Sequence, residues 1–190
     1  MTQDELLARF TAKFPKAEKA AVPVKDYLTV RLSAASELLP AAAFLRDELG
    51  FDYLEIVSAT DWLGPVSMEG YIRNPNPNVF LPEGATPQIT AVATPGVAYR
   101  PVFDLLWVFG NIAEKQKLFL KLEVARELAA VPSLTGLFKA ADWQEREVFD
   151  LLGIRFEGHP NLVKILTADF LQGHPLRKDY VHIKDKYDED

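Results

Sequence analysis

Two β-rich runs in the second half of the chain constrain its fold more than any other feature. Residues Val102 to Phe109 are nearly all apolar, as is typical of a central strand that is buried on both faces. From Leu118 to Val124, every second residue is aliphatic, which is the period of a strand. The seven residues GNIAEKQ join the two runs. The sequence therefore predicts a long β-hairpin.

Helical and strand patterns alternate before this hairpin. Residues 2–5 have the spacing of a capping box, which predicts a helix that ends near Pro15. Residues 27–32 alternate as a strand does. An apolar stripe with a terminal glycine predicts a second helix over residues 40–49. Residues 51–60 are rich in β-forming residues and predict a second strand.

The part that follows the hairpin predicts two more helices. Pro132-Ser133 is expected to open a short helix. Residues 142–145 form a second capping box, and the helix is predicted to continue to Leu152. Gly153 is the expected stop.

Helices that are segregated from hairpins are typical of α+β proteins. The sequence predicts a two-layer α+β domain, with a mixed β-sheet packed by helices, over residues 1–153. An extended C-terminal arm is expected over residues 154–190. Residues 63–101 are rich in Pro and Gly and form a predicted insertion, with two short strands near 66–73 and 88–94.

Composition excludes several classes of function. The net charge of −6 disfavours nucleic acid as a partner, because phosphate binding needs a basic face. The chain has no cysteine, so it cannot hold an iron–sulfur cluster through thiolates. Its start lacks the pattern of a signal peptide, and its longest uncharged stretch is too short and polar to span a bilayer. Dinucleotide, P-loop, serine-hydrolase and zinc-protease motifs are absent from the sequence.

The three histidines are His159, His174 and His182, and two of them precede proline. A zinc site needs three or four well-placed ligands. One interpretation of these histidines is a metal site. A second is that each His-Pro pair fixes a turn, since the residue before proline is pushed toward extended geometry. Contact with a partner is a third interpretation.

The helix over residues 142–152 has an unusual distribution of polar groups. At 100° per residue, its apolar face is formed by Val148, Leu151 and Leu152. Glu145 falls on that apolar side, where a carboxylate needs a partner. The opposite face carries a tryptophan among charged residues: Trp143, Arg146, Glu147 and Asp150.

Two interpretations of this helix stay open. In one, the helix is packed on both sides, once by its own sheet and once by another protein. In the other, Glu145 reaches solvent, Arg146 pairs with Asp150, and Trp143 is half-exposed. A general acid–base pair of Glu145 and Asp150 is disfavoured because the two lie on different faces.

The predicted arm holds too many apolar groups for a disordered tail. They are Leu162, Ile165, Leu166, Phe170, Leu171, Leu176 and Tyr180. Their spacing fits neither helix nor strand, so we expect an ordered, irregular segment that lies on a surface. The charged run Arg177-Lys178-Asp179 would lie at the rim of that contact.

The string DWQEREVFDLLGIRFEGHPN over residues 142–161 resembles the signature of the 30 kDa subunit family of respiratory complex I, the C-type subunit of NADH-quinone oxidoreductase. The second block of that family, HPLRKDY, stands at residues 174–180. Weaker similarities occur at residues 50–54, 60–62, 117–124 and 131–133. The predicted insertion and Val163, where the family usually has a basic residue before Lys164, depart from the pattern.

The resemblance implies a structural subunit of the peripheral arm, in the quinone module, that supports electron transfer from NADH to quinone and proton translocation. It implies no catalytic residue, cofactor or metal on this chain, with FMN, iron–sulfur clusters and quinone held by partner subunits. The expected partners are homologues of the D-type and B-type subunits of complex I, on the cytoplasmic side of the inner membrane. The candidate interface residues are Trp143, Glu145, Arg146, Glu147, Asp150, His159, Lys164, His174, Arg177, Lys178, Asp179 and Tyr180.

Two alternatives accompany this interpretation. The chain could be the equivalent subunit of a membrane-bound hydrogenase or of a ferredoxin-linked complex, because those assemblies share the fold. A different class is a stand-alone metal-dependent hydrolase that uses His159, His174 and a carboxylate.

Overall fold

The computed structural model describes residues 1–21, 24, 26–64 and 98–181. The strands predicted near 66–73 and 88–94, and His182, lie outside the described residues. The elements, in chain order, are α1 (Gln3–Lys13), β1 (Glu18–Lys19), β2 (Leu28–Arg31), α2 (Leu38–Asp47), β3 (Tyr53–Asp61), β4 (Val102–Asn111), β5 (Gln116–Ala125), β6 (Ala130–Pro132), α3 (Ala141–Leu152) and β7 (Arg155–Glu157). Single turns of 3₁₀ helix precede α2, at Ala35–Glu37, and follow β5, at Arg126–Leu128.

The predicted hairpin is confirmed and forms the centre of the main sheet. β4 and β5 pair antiparallel from Val102↔Ala125 to Asn111↔Gln116. The strand order is β1-β2-β5-β4-β3, and β2 runs parallel to β5 while the other neighbours are antiparallel. The sheet is therefore mixed, as the sequence predicts.

One face of this sheet supplies the core. Phe103, Leu105, Trp107 and Phe109 of β4 are fully buried and belong to one cluster with buried residues of α1, α2 and α3. Burial of large side chains contributes about 1.5–3 kcal/mol each, so this face accounts for much of the favourable free energy of folding. The two-layer α+β class is thereby confirmed.

The helix ends in the first part of the chain follow the sequence closely. The Thr2 hydroxyl accepts from the backbone N–H of Glu5 at 3.2 Å, and the Glu5 carboxylate accepts from the N–H of Thr2 at 2.8 Å. This reciprocal pair is the predicted capping box. After α2, Gly50 has a φ of +73°, a backbone conformation that glycine adopts without steric cost.

Pro132-Ser133 does not begin a helix, and that prediction is wrong. Pro132 ends the short strand β6, which pairs in parallel with β7. The N–H of Ser133 then donates to the carbonyl of Glu157 at 2.8 Å. The partner strand lies more than twenty residues away, so local sequence patterns cannot reveal this pairing.

The second predicted capping box is also wrong. The residue that caps α3 is Ala140, which makes no side-chain hydrogen bond, and Asp142 lies within the first turn. Glu145 cannot reach back to the start of the helix, because its carboxylate is bonded to another segment. Gly153 ends α3 with a φ of +74°, as the sequence predicts.

The core does not stop at Gly153, where the sequence places the start of the arm. Ile154 and Phe156 are buried and belong to the core cluster. The division at residue 153 as a boundary between folding units stays a prediction. The irregular part of the chain begins after β7.

Candidate functional site

The helix α3 lies along β3, where the main sheet of the described residues ends. The side-chain amide of Gln144 accepts from the N–H of Val57 and donates to the carbonyl of Glu55 at 3.3 Å. These contacts coincide with a shift of register between Leu54 and Ile56 in β3. A single glutamine thus satisfies backbone groups of the strand and fixes the position of the helix.

Glu145 is completely buried, and its carboxylate has the partners that the sequence demands. It accepts from the Ser133 hydroxyl at 2.6 Å and from the N–H of Leu134 at 2.7 Å. Burial raises the pKa of Glu145 to about 7, although both hydrogen bonds act in the opposite direction. The alternative in which Glu145 reaches solvent is wrong. Its role here is to join α3 to the turn after β6.

Asp150 is also fully buried, although the helical pattern places it on the polar face. One of its oxygens accepts from three consecutive backbone N–H groups, those of Ile165 at 2.9 Å, Leu166 at 2.7 Å and Thr167 at 2.9 Å. The other accepts from the Thr167 hydroxyl at 2.5 Å. Burial alone would raise the pKa of Asp150, but the four hydrogen bonds outweigh it and lower the pKa to about 2.

The alternative pairing of Arg146 with Asp150 is therefore wrong. The Arg146 guanidinium donates to the carbonyls of Val163 at 3.1 Å and Lys164 at 3.3 Å. Arg146 and Asp150 bind consecutive parts of the same segment. The second side of α3, which one of the two interpretations covers with another protein, is partly covered by C-terminal residues of the chain itself.

We call residues 163–181 the C-terminal strap, and three groups of contacts hold it against the domain. Arg146 and Asp150 bind its beginning. Further on, the N–H of Leu176 donates to the carbonyl of Leu151 at 3.0 Å, and Arg177 Nε donates to the carbonyl of Leu152 at 2.7 Å. The strap thereby also satisfies backbone carbonyls at the end of α3.

The third group of contacts lies at the end of β3. The Asp61 carboxylate accepts from the N–H of Lys178 at 2.9 Å and from Arg126 at 3.0 Å. Arg126 also binds the Asp179 carboxylate at 2.5 Å. This pairing lowers the pKa of Asp179 and raises that of Arg126. The sequence does not assign this role to Asp61 or Arg126, although Asp61 lies in one of the blocks with weaker similarity, residues 60–62.

The side chains of both histidines in the described residues are bonded within the chain. His159 Nδ1 accepts from the N–H of Asn161 at 3.0 Å, and its Nε2 lies 3.1 Å from the carbonyl of Asp142. His174 Nδ1 lies 2.8 Å from the carbonyl of Asp150. Among the described residues, no group of three histidine or acidic side chains could hold a metal ion.

Two other candidate residues lie within the strap itself. Lys164 Nζ donates to the carbonyl of Leu171 at 2.5 Å. The N–H of Tyr180 donates to the carbonyl of Arg177, and its ring lies beside Gly173. The strap is thus ordered by its own contacts as well as by those to the domain.

The remaining candidates face outward. Trp143 is 69% exposed, and Glu147 is exposed one turn later on α3. On the strap, Leu166 is 62% exposed and Leu176 56%. The structure therefore brings the predicted residues together around α3 and the strap, with polar groups mostly inside and several large apolar groups outside. Such exposure of large apolar groups is typical of interaction surfaces.

Within the part of the chain that the structure describes, the helices are too short and too polar to cross a membrane.

Comparison with known proteins agrees with the family resemblance of the two sequence blocks within residues 142–180. Residues 32–186 match the family model described as "Respiratory-chain NADH dehydrogenase, 30 Kd subunit". The C-type subunit of the NADH-quinone oxidoreductase of Coxiella burnetii is 32% identical over 177 residues, which is 92% of this chain and 76% of that protein. The J-type subunit of the chloroplast NAD(P)H-quinone oxidoreductase of Physcomitrium patens is 35% identical over 70% of this chain and 76% of that protein.

A further relative is more similar over a shorter stretch. The corresponding C-type subunit of Rhodopseudomonas palustris is 44% identical over 105 residues, or 54% of this chain, and the match spans about half of that protein, 51% of its length.

Solved structures share the fold. A trypsin-resistant fragment of Nqo5 superposes with a TM-score of 0.54 at 24% identity, over 85% of this chain and all of that chain. A chain of an archaeal respiratory membrane complex, the membrane-bound sulfane sulfur reductase, gives a TM-score of 0.62 at 21% identity, over 98% of this chain and 95% of that chain. Fold, sequence blocks and family match agree: the chain belongs to the 30 kDa subunit family of respiratory-chain NADH dehydrogenase.

Proposed function

We propose that this chain is a structural subunit of the peripheral arm of a proton-translocating NADH-quinone oxidoreductase, where it supports electron transfer from NADH to quinone. The match of residues 32–186 to the 30 kDa subunit family carries this proposal. Relatives from bacteria and a chloroplast bear the names of quinone oxidoreductase subunits. The chain would serve a structural role, since two of its buried carboxylates, Glu145 and Asp150, are each bound to neighbouring segments of the same chain.

The proposed partners are the homologues of the D-type and B-type subunits in the quinone module. FMN, iron–sulfur clusters and quinone would reside on partner subunits, since a chain without cysteine cannot ligate a cluster through thiolates. The assembly would place the chain on the cytoplasmic side of the inner membrane. The contact would involve the exposed side of α3, where Trp143 lies, and the C-terminal strap.

A second candidate function is the equivalent subunit of a related complex with a different electron donor or acceptor. The similarity of fold to a chain of the membrane-bound sulfane sulfur reductase favours this candidate. A stand-alone hydrolase has no such support, because His159 and His174 are each bonded to a different backbone carbonyl of α3.

Gentle purification of the tagged chain from its source cells tests the proposal. We expect it to be recovered with several other chains, with flavin and iron, and with NADH:quinone reductase activity. Recovery with flavin-free hydrogenase chains would favour the second candidate. A lone, monodisperse chain with turnover of its own would contradict both.

A further inference from the structure

One face of the main sheet carries apolar side chains that the described helices do not cover. The buried apolar residues of α1, α2 and α3 belong to one cluster with Leu105 and Trp107 of β4. Val108 of β4 and Phe119 of β5 point to the opposite side of the sheet, are buried, and lie outside that cluster. We call this side of the sheet the outer face. The strand register brings Phe119, Val108 and Ile56 of β3 into one row across it.

The two halves of the outer face differ in how they are covered. On the β2 side, the Tyr27 ring stacks on that of Phe119, with the ring centroids 5.4 Å apart. On the β3 side, Tyr53 is 50% exposed and Ile56 is 48% exposed. Neighbouring exposed apolar groups at the edge of a sheet favour contact with another segment. Among the described residues, the β3 side is therefore the half that lacks a cover.

The connection between β3 and β4 leaves and re-enters the sheet beside this half. The N–H of Trp62 donates to the carbonyl of Val102 at 3.0 Å, and the N–H of Arg100 donates to the carbonyl of Trp62 at 2.7 Å. The Arg100 guanidinium donates to both carboxylate oxygens of Glu123, at 2.8 and 2.7 Å. Glu123 alternates with Leu122 of the core cluster and so lies on the outer face. The chain thus returns from residues 65–97 with the Arg100 side chain fixed on the outer face.

Residues 65–97 are poor in charge and rich in apolar groups. Their charged residues are Glu69, Arg73 and Glu83, whereas 25% of the whole chain is charged. Such a composition favours burial against other apolar groups over full solvation. Eight extended residues, the length of the strand predicted near 66–73, span about 26 Å, which is nearly the length of β3. The segment is therefore long enough to reach the whole β3 side of the outer face.

We propose that residues 65–97 dock on the β3 side of the outer face and shield Tyr53 and Ile56 there. Both ends of the segment are attached to the two strands that form this half, so docking is intramolecular and takes place at a high effective concentration. A neighbouring subunit would have to displace the segment to bind the same surface. Docking of this segment does not depend on which complex the chain joins.

Thiol labelling of the isolated full-length chain tests the proposal, because the chain has no cysteine of its own. The thiol of Ile56→Cys should react with a maleimide at least about tenfold more slowly than that of Ile112→Cys, an exposed position at the other end of the hairpin. Ile72→Asp combined with Ile89→Asp should remove this protection, since a charge opposes burial against an apolar face. Gln88→Asp is the matched control and should leave the protection intact, because Gln88 falls on the other side of the predicted strand from Ile89.

Equal labelling rates for Ile56→Cys and Ile112→Cys would overturn the proposal, and so would protection that persists in the double aspartate variant. Protection that appears only within an assembled complex would assign the face to a neighbouring subunit and would overturn it as well, while leaving the proposed function standing. Leu120→Cys, at a fully buried core position, should stay unreactive in the aspartate background and so reports that the fold is retained.

A disulfide scan gives an answer even where the aspartate variant unfolds. Ile56→Cys is combined in turn with a second cysteine at each aliphatic position of residues 66–73 and 88–94, and each chain is oxidised. At least one pair should form an intramolecular disulfide, which requires the two Cα atoms to approach within about 7 Å. The same scan with Ile112→Cys should form none. Failure of every pair with Ile56→Cys would overturn the proposal.

Discussion

At the scale of single residues, Gly153 controls how the end of α3 meets the strap. Its φ of +74° is strained for any residue with a side chain. A Cβ added there would also lie 2.5 Å from the ring of His174 and 2.7 Å from Arg177. The absence of a side chain therefore permits both the helix stop and the close passage of the strap.

Gly153→Ala should lower the free energy of unfolding by at least about 1–3 kcal/mol, because strain in the backbone adds to the clash with His174. Urea denaturation measures this loss. Gly136→Ala is the matched control, since a Cβ at that position meets nothing within 4 Å. A Gly153 variant as stable as the control would show that the strap does not pack on this residue.

Glu145 predicts a specific dependence of stability on pH. Its pKa is raised from 4.5 to about 7 in the folded chain, so the folded state binds the extra proton between these values. Its contribution to stability is complete below pH 4.5 and is lost as the pH rises through 7. The loss amounts to about 3 kcal/mol.

Glu145→Gln imitates the protonated carboxyl group and should remove this part of the pH dependence. Denaturation curves from about pH 4.5 to about pH 8 compare the two chains. The difference in unfolding free energy should move in favour of the glutamine variant as the pH rises. Parallel stability profiles would show that Glu145 titrates normally.

At the scale of elements, the sequence predicts the helices and strands that carry a periodic pattern. It does not predict contacts between residues that are far apart along the chain. The capping box of α1, the stripe of α2 and the central hairpin each carry their pattern locally, and the structure has them. The pairing of β6 with β7 and the contact of Glu145 with Ser133 depend on residues far apart along the chain. Strand propensity over three residues is too weak to reveal such contacts.

The pairing of β6 with β7 makes the effect of truncation depend on where the chain is cut. A chain that ends after residue 161 retains Phe156, β7 and the turn at His159, and should unfold cooperatively. A chain that ends after residue 154 loses Phe156, whose side chain is buried, and should be less stable by about 3–5 kcal/mol. Circular dichroism during thermal unfolding distinguishes the two. Equal stability would show that β7 is dispensable for the domain.

At the scale of the whole molecule, α3 and the strap together expose several large apolar side chains. The sequence predicts an ordered, apolar C-terminal arm, and residues 163–181 of that arm make defined contacts with the domain. The sequence does not reveal that the chain's own Asp150, Asp61 and Arg126 anchor these residues, because those contacts join residues up to 117 positions apart. The assignment of the interface residues stays a prediction, which measurements of complex assembly can test.

Trp143 is the strongest candidate for an anchor at that interface, as a tryptophan that is 69% exposed on a helix. Trp143→Ser should weaken association with the neighbouring subunit by about 2 kcal/mol or more, which is about 30-fold. Leu39→Ser, at an exposed position on α2, is the control. Turnover per flavin in whatever complex assembles should stay unchanged. Normal assembly with slow turnover would instead assign Trp143 a part in the chemistry.

Hydroxyl-radical footprinting of the wild-type chain, isolated and within the gently extracted complex, tests the central claim most directly. Trp143 and Leu166 should react readily in the isolated chain and lose most of their reactivity in the complex, while Ile112 should react equally in both. Equal reactivity of all three residues in both states would contradict an interface on α3 and the strap.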